Sequence, residues 1–219
     1  MPNRAETLAW ESEQDAPLRT ELIDAALALA DESGLDAVSV RRVAALVGRR
    51  PMSLYTHVPS KDALVALMFD RISADLLVPA PLPTDGRELL RLIATRSFQT
   101  YLRHPWMLHA SGRRPQPGPN HLQRAEQSAR AVEALGVDTA DAWRALSLVH
   151  EWTMGHALHV ITLREDQALA RALKNADDSQ HPTAARALSA ATSGGPEAAF
   201  RDALDTILDG VEARYLHQR

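Results

Sequence analysis

Between Ser39 and Lys61 the chain carries Arg41, Arg42, Arg49, Arg50 and Lys61 and not one carboxylate. Cations grouped this way neutralise phosphates, the contact that sets a protein's register on a nucleic-acid backbone. Among them stand Ser39, Pro51, Met52, Ser53, Tyr55, Thr56 and His57. Met52, Ser53, Tyr55, Thr56 and His57 are small, polar or aromatic and have little reason to form a core. A hydroxyl can hydrogen-bond a base edge and a thioether can meet a thymine methyl, so Met52, Ser53 and Thr56 are candidates for reading sequence. The whole chain has a formal net charge of −4 and a pI of about 6.1, so this basic window sits on an acidic remainder. That is the footprint of a small DNA-reading head on an acidic scaffold, although a solvated surface would show the same charges.

A second group lies further along: Trp106, Met107, His109, Trp143, His150, Trp152, Met154, His156 and His159. Three of the chain's four tryptophans are here, and aromatic walls with a few polar tips suit an amphipathic organic ligand. Any one of these residues would serve equally well in a core; the grouping is what favours a pocket. Helical metal pairs are spaced by three or four, with a further ligand completing the shell. His156 and His159 are three apart and His104 and His109 five, and neither a metal nor a cofactor is expected. Glu151 follows His150 directly, so the two point to different helix faces and form no acid–base dyad. No glycine-rich phosphate loop, nucleophile elbow or metal signature is present, so an enzyme in this region is the weaker alternative. A scaffold that binds protein is another, against which the acid-free window argues. With no cysteine, disulfides, thiol catalysis and zinc fingers are excluded.

Helices must position both groups. Residues 1–16 are polar and aperiodic and read as a loose arm. Leu22, Ile23, Ala26, Leu29 and Ala30 recur at helical spacing until Gly34 stops them. Ser39 can cap a short helix carrying Val40, Val43, Ala44 and Val47, ended by Gly48; a third segment runs from about Pro51 to His57. Ser60 can cap a fourth helix with Leu64, Leu67, Met68, Ile72 and Leu76 inward, closed by Pro79, Pro81 and Pro83. Further helices carry Leu89 to Tyr101, Leu122 to Leu135 and Ala140 to about Leu163, and a last one runs through Phe200, Leu204, Ile207, Leu208, Val211 and Tyr215. The loop Ser111–Pro119 and the Ala/Ser-rich stretch Lys174–Pro196 interrupt them. No period-two strand is evident, so the expected fold is all-α, with a head over 17–77 and a body over 84–219. No apolar run reaches the ~18–20 residues of a membrane span and no signal peptide opens the chain, which points to a cytoplasmic protein.

Two short helices joined by a turn at Gly48 make a helix-turn-helix, whose second helix enters the major groove. The run Gly34–Ala44, then Leu54-Tyr55-Thr56-His57-Val58 and Lys61-Asp62-Ala63-Leu64, resembles the head of the tetracycline-repressor (TetR) family over about residues 18–77. The seven-residue step from Gly48 to Tyr55 belongs to that likeness. Leu146–Gly155 and Phe200–Gly210 are similar to helices of the same family's C-terminal domain. The resemblance implies a homodimeric transcriptional regulator, most often a repressor, that leaves a palindromic operator when a small molecule binds. It implies that Arg41 contacts DNA at the second helix. Pro51, Met52, Ser53, Tyr55 and His57 then lie on the recognition helix, and Lys61 holds a phosphate. Met52 stands where most members have a small residue or glycine, which leaves the operator sequence open. In the body, the resemblance places the last two long helices in a four-helix dimer interface, with Phe200, Leu204, Ile207, Leu208 and Val211 as its stripe. Ligand contact falls to Trp106, Met107, His109, Trp143, His150, Trp152, Met154 and His159. His109 and His159 align with positions that face drug and magnesium in tetracycline repressors. His159 replaces an acidic residue there, which argues against a hard cation.

Overall fold

The structure is a computed structural model that describes residues 16–55, 57–110, 116–165, 182–183, 186 and 195–216. The described residues form helices and no strand, as the sequence pattern requires. The chain divides into two compact units, one of residues 1–80 with 103–127, the other of 81–102 with 128–219.

The first unit opens with α1 (Ala16–Ser33), whose Leu22, Ile23, Ala26, Leu29 and Ala30 are all buried. Gly34 takes φ 78°, a left-handed conformation that favours glycine, and ends the helix. A single 3-10 turn, Leu35–Ala37, follows; the sequence pattern gave no sign of it. Ser39 then caps α2 (Val40–Leu46), its hydroxyl oxygen accepting the Arg42 N–H at 3.2 Å. Gly48, at φ 65°, turns the chain into α3 (Pro51–Leu54), shorter than the expected segment to His57, with Pro51 in its first turn. Leu22, Val40, Val43, Leu54, Val58 and Leu64 converge, so the small head is closed by aliphatic residues from each of its helices. In α4 (Lys61–Leu76) the Ser60 hydroxyl accepts the Ala63 N–H at 3.0 Å. Residues Ala63 to Met68 are all buried, the mark of a helix covered on most sides.

Two elements further along the chain join this unit. The short α6 (Trp106–His109), which periodicity missed because it holds one turn after Pro105, buries Trp106 and Met107. The first half of α7 (Pro119–Leu135) follows it. Gln127 faces the chain just beyond α4, where its amide accepts the Val78 N–H at 3.0 Å and donates to the Val78 carbonyl at 2.9 Å.

The second unit contains most of α5 (Gly86–Arg103), the end of α7, α8 (Thr139–Glu165) and α9 (Gly195–Tyr215). Gly86 lies so close to the last turn of α7 that an added Cβ would collide with the Leu135 nitrogen and the Ala131 oxygen. Beside it, Arg87 reaches Asp209 at 2.6 Å and Glu212 at 2.9 Å, and Arg91 reaches Asp205 at 3.0 Å. Burial opposes the charge on Arg87, yet its bonds to Glu212 and Asp209 prevail and raise its pKa. The centre of the unit is a cluster of rings. Phe98 of α5 stacks on Phe200 of α9 at 4.2 Å and 4°, and Trp152 of α8 stacks on Phe200 at 5.2 Å.

This core takes up the stripe expected at a dimer interface. Phe200, Leu204, Leu208 and Val211 are each 1% exposed or less in the single chain, and Ile207 is half-buried. Phe200 packs against α5 and α8 of its own chain through Phe98 and Trp152.

Candidate functional site

The basic window becomes an exposed surface of the head. Arg41, Arg42, Arg49 and Arg50 are all exposed, and none forms an ion pair with another described residue. They flank α2 and α3 because Ser39 starts one helix and the Gly48 turn separates the two. With no carboxylate between Ser39 and Lys61, the segment itself carries no counter-charge.

On α3 the alternation is local and clear. Leu54 is buried, whereas Met52 is 78% exposed, and Tyr55, directly after the helix, is 40% exposed. Ser53 is exposed and its hydroxyl donates to the Arg50 carbonyl at 2.7 Å, which fixes the first turn of the helix. Pro51 and His57 are half-buried, and Thr56 lies outside the described residues. Ser39 is half-buried as well, with its oxygen engaged as the cap.

Lys61 has another first task than the one expected of it. Its ammonium donates to the carbonyl of Leu35 at 3.0 Å and to that of Asp36 at 3.4 Å, tying the start of α4 to the 3-10 turn. Sequence could not show this, because the two ends are some two dozen residues apart.

The residues expected to face a ligand are divided by the fold. Trp106, Met107 and His109 belong to the first unit, and Trp143, His150, Trp152, Met154 and His159 to the second. Trp106 is 4% exposed, with its indole N–H donating to Asp31 at 2.8 Å and its ring edge-on to Phe69 at 5.5 Å. Its polar atom is therefore engaged within the unit. Met107 is buried and His109 exposed. In the second unit Trp143 is 76% exposed, His150 and His159 are exposed, and Met154 is half-buried. His150 meets Tyr101 edge-on at 6.4 Å. Trp152 stacks on His156 at 5.2 Å as well as on Phe200. The Nε2 of His156 is covered and has no hydrogen-bond partner among the described residues. Burial, and then the neighbouring charge of His159, hold the His156 pKa below its ordinary value. Among the described residues no three His, Asp or Glu side chains are grouped to hold a metal.

Comparison with known proteins joins these observations. A family model for bacterial regulatory proteins of the tetR family matches residues 22–68, the stretch that builds the basic head. A second, the tetracyclin repressor-like C-terminal domain, matches residues 79–215. The chain belongs to the tetracycline-repressor family. TetR-family kinship extends to individual proteins. The HTH-type transcriptional repressor DrrR1 of Streptomyces coeruleorubidus is 34% identical over 137 residues, which are 62% of this chain and 51% of that protein. The chain thus spans about half the length of that relative. The class A tetracycline repressor from transposon 1721 of Escherichia coli is 28% identical over 89% of this chain and 90% of its own length. Among solved structures, the TetR family protein ActR of Streptomyces coelicolor, in complex with (S)-DNPA, superposes with a TM-score of 0.71. It is 26% identical, and the match covers 90% of this chain and 98% of that one.

Several residues that organise both units escaped the sequence reading. Asp31, Asp70, Gln127 and Gly86 act through partners far along the chain, and each sits in a helix where its type looks ordinary. Asp70 alone left a trace, as a carboxylate directly after the apolar run Ala63–Phe69.

Proposed function

We propose that this protein is a transcriptional repressor that reads a palindromic operator as a homodimer and leaves it when a small organic molecule binds. The observation that carries the reading is the exposed set Arg41, Arg42, Arg49 and Arg50, from an acid-free window, around an α3 that presents Met52 outward with Tyr55 directly after it. The arginines meet phosphates on both sides of a major groove, and Met52, Ser53, Tyr55 and Thr56 meet base edges. DrrR1 and the tetracycline repressors are named as repressors, and kinship supports the same sign of regulation here.

The second copy docks on the outward faces of α8 and α9. Leu148 and Leu158 of α8 are exposed there, and Gly155 and Gly210 have open space beside them, which permits close helix packing. The ligand is a small organic molecule, as supported by kinship with tetracycline repressors and with a TetR family protein solved in complex with (S)-DNPA. Within the second unit, His150, Met154 and His159 are the side chains that recognise it. Ligand shifts the population toward dimers whose recognition helices no longer fit successive grooves, ~34–36 Å apart.

Selection of the purified protein against random duplex DNA tests this reading. The expected outcome is a palindromic consensus whose affinity falls steeply with salt. The double charge reversal Arg49→Glu with Arg50→Glu should reduce operator affinity by about a thousandfold or more while leaving helicity unchanged. No enriched sequence at low or moderate salt, or an unaffected variant, would refute it.

A further inference from the structure

With five methionines and no cysteine, the sulfur chemistry of this sequence is that of thioethers. The structure separates them sharply. Met68 of α4 and Met107 of α6 are buried, and Met154 of α8 is half-buried. Met1 lies outside the described residues. Met52, in the first turn of α3 directly after Pro51, is exposed over more than three quarters of its surface. An oxidant from solvent therefore reaches Met52 before Met68 or Met107, because oxygen transfer to a thioether needs access to the sulfur.

Hydrogen peroxide supplies one oxygen atom in this reaction. An S–O bond forms, the O–O bond breaks, and the remaining oxygen leaves as water. Sulfur loses two electrons and the peroxide gains them. A thiol-dependent methionine sulfoxide reductase reverses the change: two thiols become a disulfide, and the sulfoxide oxygen leaves as water.

The position of the sulfur decides the consequence. In a buried methionine such as Met68 a polar oxygen would cost the fold. At Met52 it costs the fold little, since that side chain is largely in water already. It falls instead where a thioether would meet a thymine methyl. A sulfoxide oxygen only accepts hydrogen bonds, and guanine N7 and O6, adenine N7 and thymine O4 also only accept. The arginines around α3 keep their charge throughout, so attraction to phosphates is unchanged.

We infer that Met52 is an oxidation site through which peroxide reversibly lowers operator affinity. This rests on the operator reading given above and deepens it, adding an input to the head that bypasses the small molecule. Oxidation removes sequence-specific affinity and leaves non-specific affinity in place.

Graded hydrogen peroxide treatment of the full chain, followed by peptide mass spectrometry and operator titration, tests the inference. Met52 should become sulfoxide before Met68 and Met107. Affinity for a selected operator should fall by at least about tenfold, the effect of one mismatched base pair. Affinity for random duplex and helicity should stay as they were, and methionine sulfoxide reductase with a thiol should restore operator binding. Met52→Leu keeps an apolar side chain without sulfur. Whatever its own starting affinity, the same treatment should leave that affinity unchanged. Full oxidation of Met52 with no loss of operator binding would overturn the inference, as would an equal loss in Met52→Leu. A parallel fall on random duplex, or a loss of helicity, would also overturn it, since either means general damage.

The order of oxidation is read without DNA. If Met68 or Met107 reacts as fast as Met52, the site is wrong whatever the operator result. If no operator can be selected, the operator reading fails and takes the switch with it. If one is selected and the oxidised protein binds it as before, the switch alone fails.

Discussion

In the head, Arg41, Arg42, Arg49 and Arg50 stand exposed and form no ion pair among the described residues; in the second unit, Arg87 and Arg91 are held by Asp205, Asp209 and Glu212. Aromatic residues divide the same way, with Tyr55 exposed just after α3 and Trp152 stacked on both His156 and Phe200. The same residue types thus serve an external partner in one region and the fold in the other. What distinguishes them is whether the chain supplies the partner. An arginine with an acid across a helix pair is committed to the fold, and one in an acid-free window is available to a phosphate.

The largest effect that would sharpen this contrast comes from a residue with no side chain. Gly86→Ala places a methyl into the backbone of α7, at Leu135 and Ala131, where no flexible group can yield. We expect the second unit to lose about 3–5 kcal/mol or to misfold, measured as the urea midpoint of its near-UV transition. Gly155→Ala and Gly210→Ala meet open space in the single chain and serve as controls. They should stabilise an isolated chain by up to about 1 kcal/mol through helix propensity and weaken association if α8 and α9 face a second copy. Equilibrium sedimentation separates the two effects.

The tryptophans give the next contrast. Trp152→Ala removes a ring that stacks on Phe200 and His156 and should destabilise by about 2–4 kcal/mol. Trp143 is 76% exposed, so Trp143→Ala should change stability by less than about 0.5 kcal/mol. Equal losses in thermal unfolding would mean that Trp143 is covered by something beyond the single chain.

How much of this was legible follows from the range over which each residue acts. Ser39, Gly48 and Ser60 act within a few residues, so caps, turn and helix order of the head could be read from spacing alone. The arginine surface was legible for the same reason, because a window without acids shows in the sequence itself. Phe200, Leu204, Leu208 and Val211 were recognised as one apolar stripe, but a stripe does not name what covers it, and here α5 and α8 do. Trp106 has an indole N–H that a pocket or Asp31 could equally satisfy, and only the placement of α1 against α6 decides.

Lys61 and Arg50 test the same distinction within the head. Lys61→Ala removes the bonds to Leu35 and Asp36 and should cost about 1 kcal/mol of stability in urea unfolding. Arg50→Ala should leave stability within about 0.5 kcal/mol and reduce the salt slope of operator binding by about one. The reverse pattern would exchange the roles given to the two cations.

The smallest expected effect concerns His156, whose covered Nε2 lies among Phe98, Trp152 and Phe200. Burial lowers its pKa in the folded state, with the charge of His159 adding to the shift, so the unfolded chain takes up a proton more readily. Stability from the neutral imidazole is therefore complete above the ordinary histidine value and is lost as pH falls through that value toward the folded one. Many carboxylates titrate at lower pH, so the informative quantity is a difference between proteins rather than a single curve. Urea unfolding near about pH 7.5 and about pH 5.5 should show a loss for the native chain that exceeds the loss for His156→Phe. An identical loss in both would mean that the imidazole finds a partner for its proton, and that this part of the ring cluster is open to water after all.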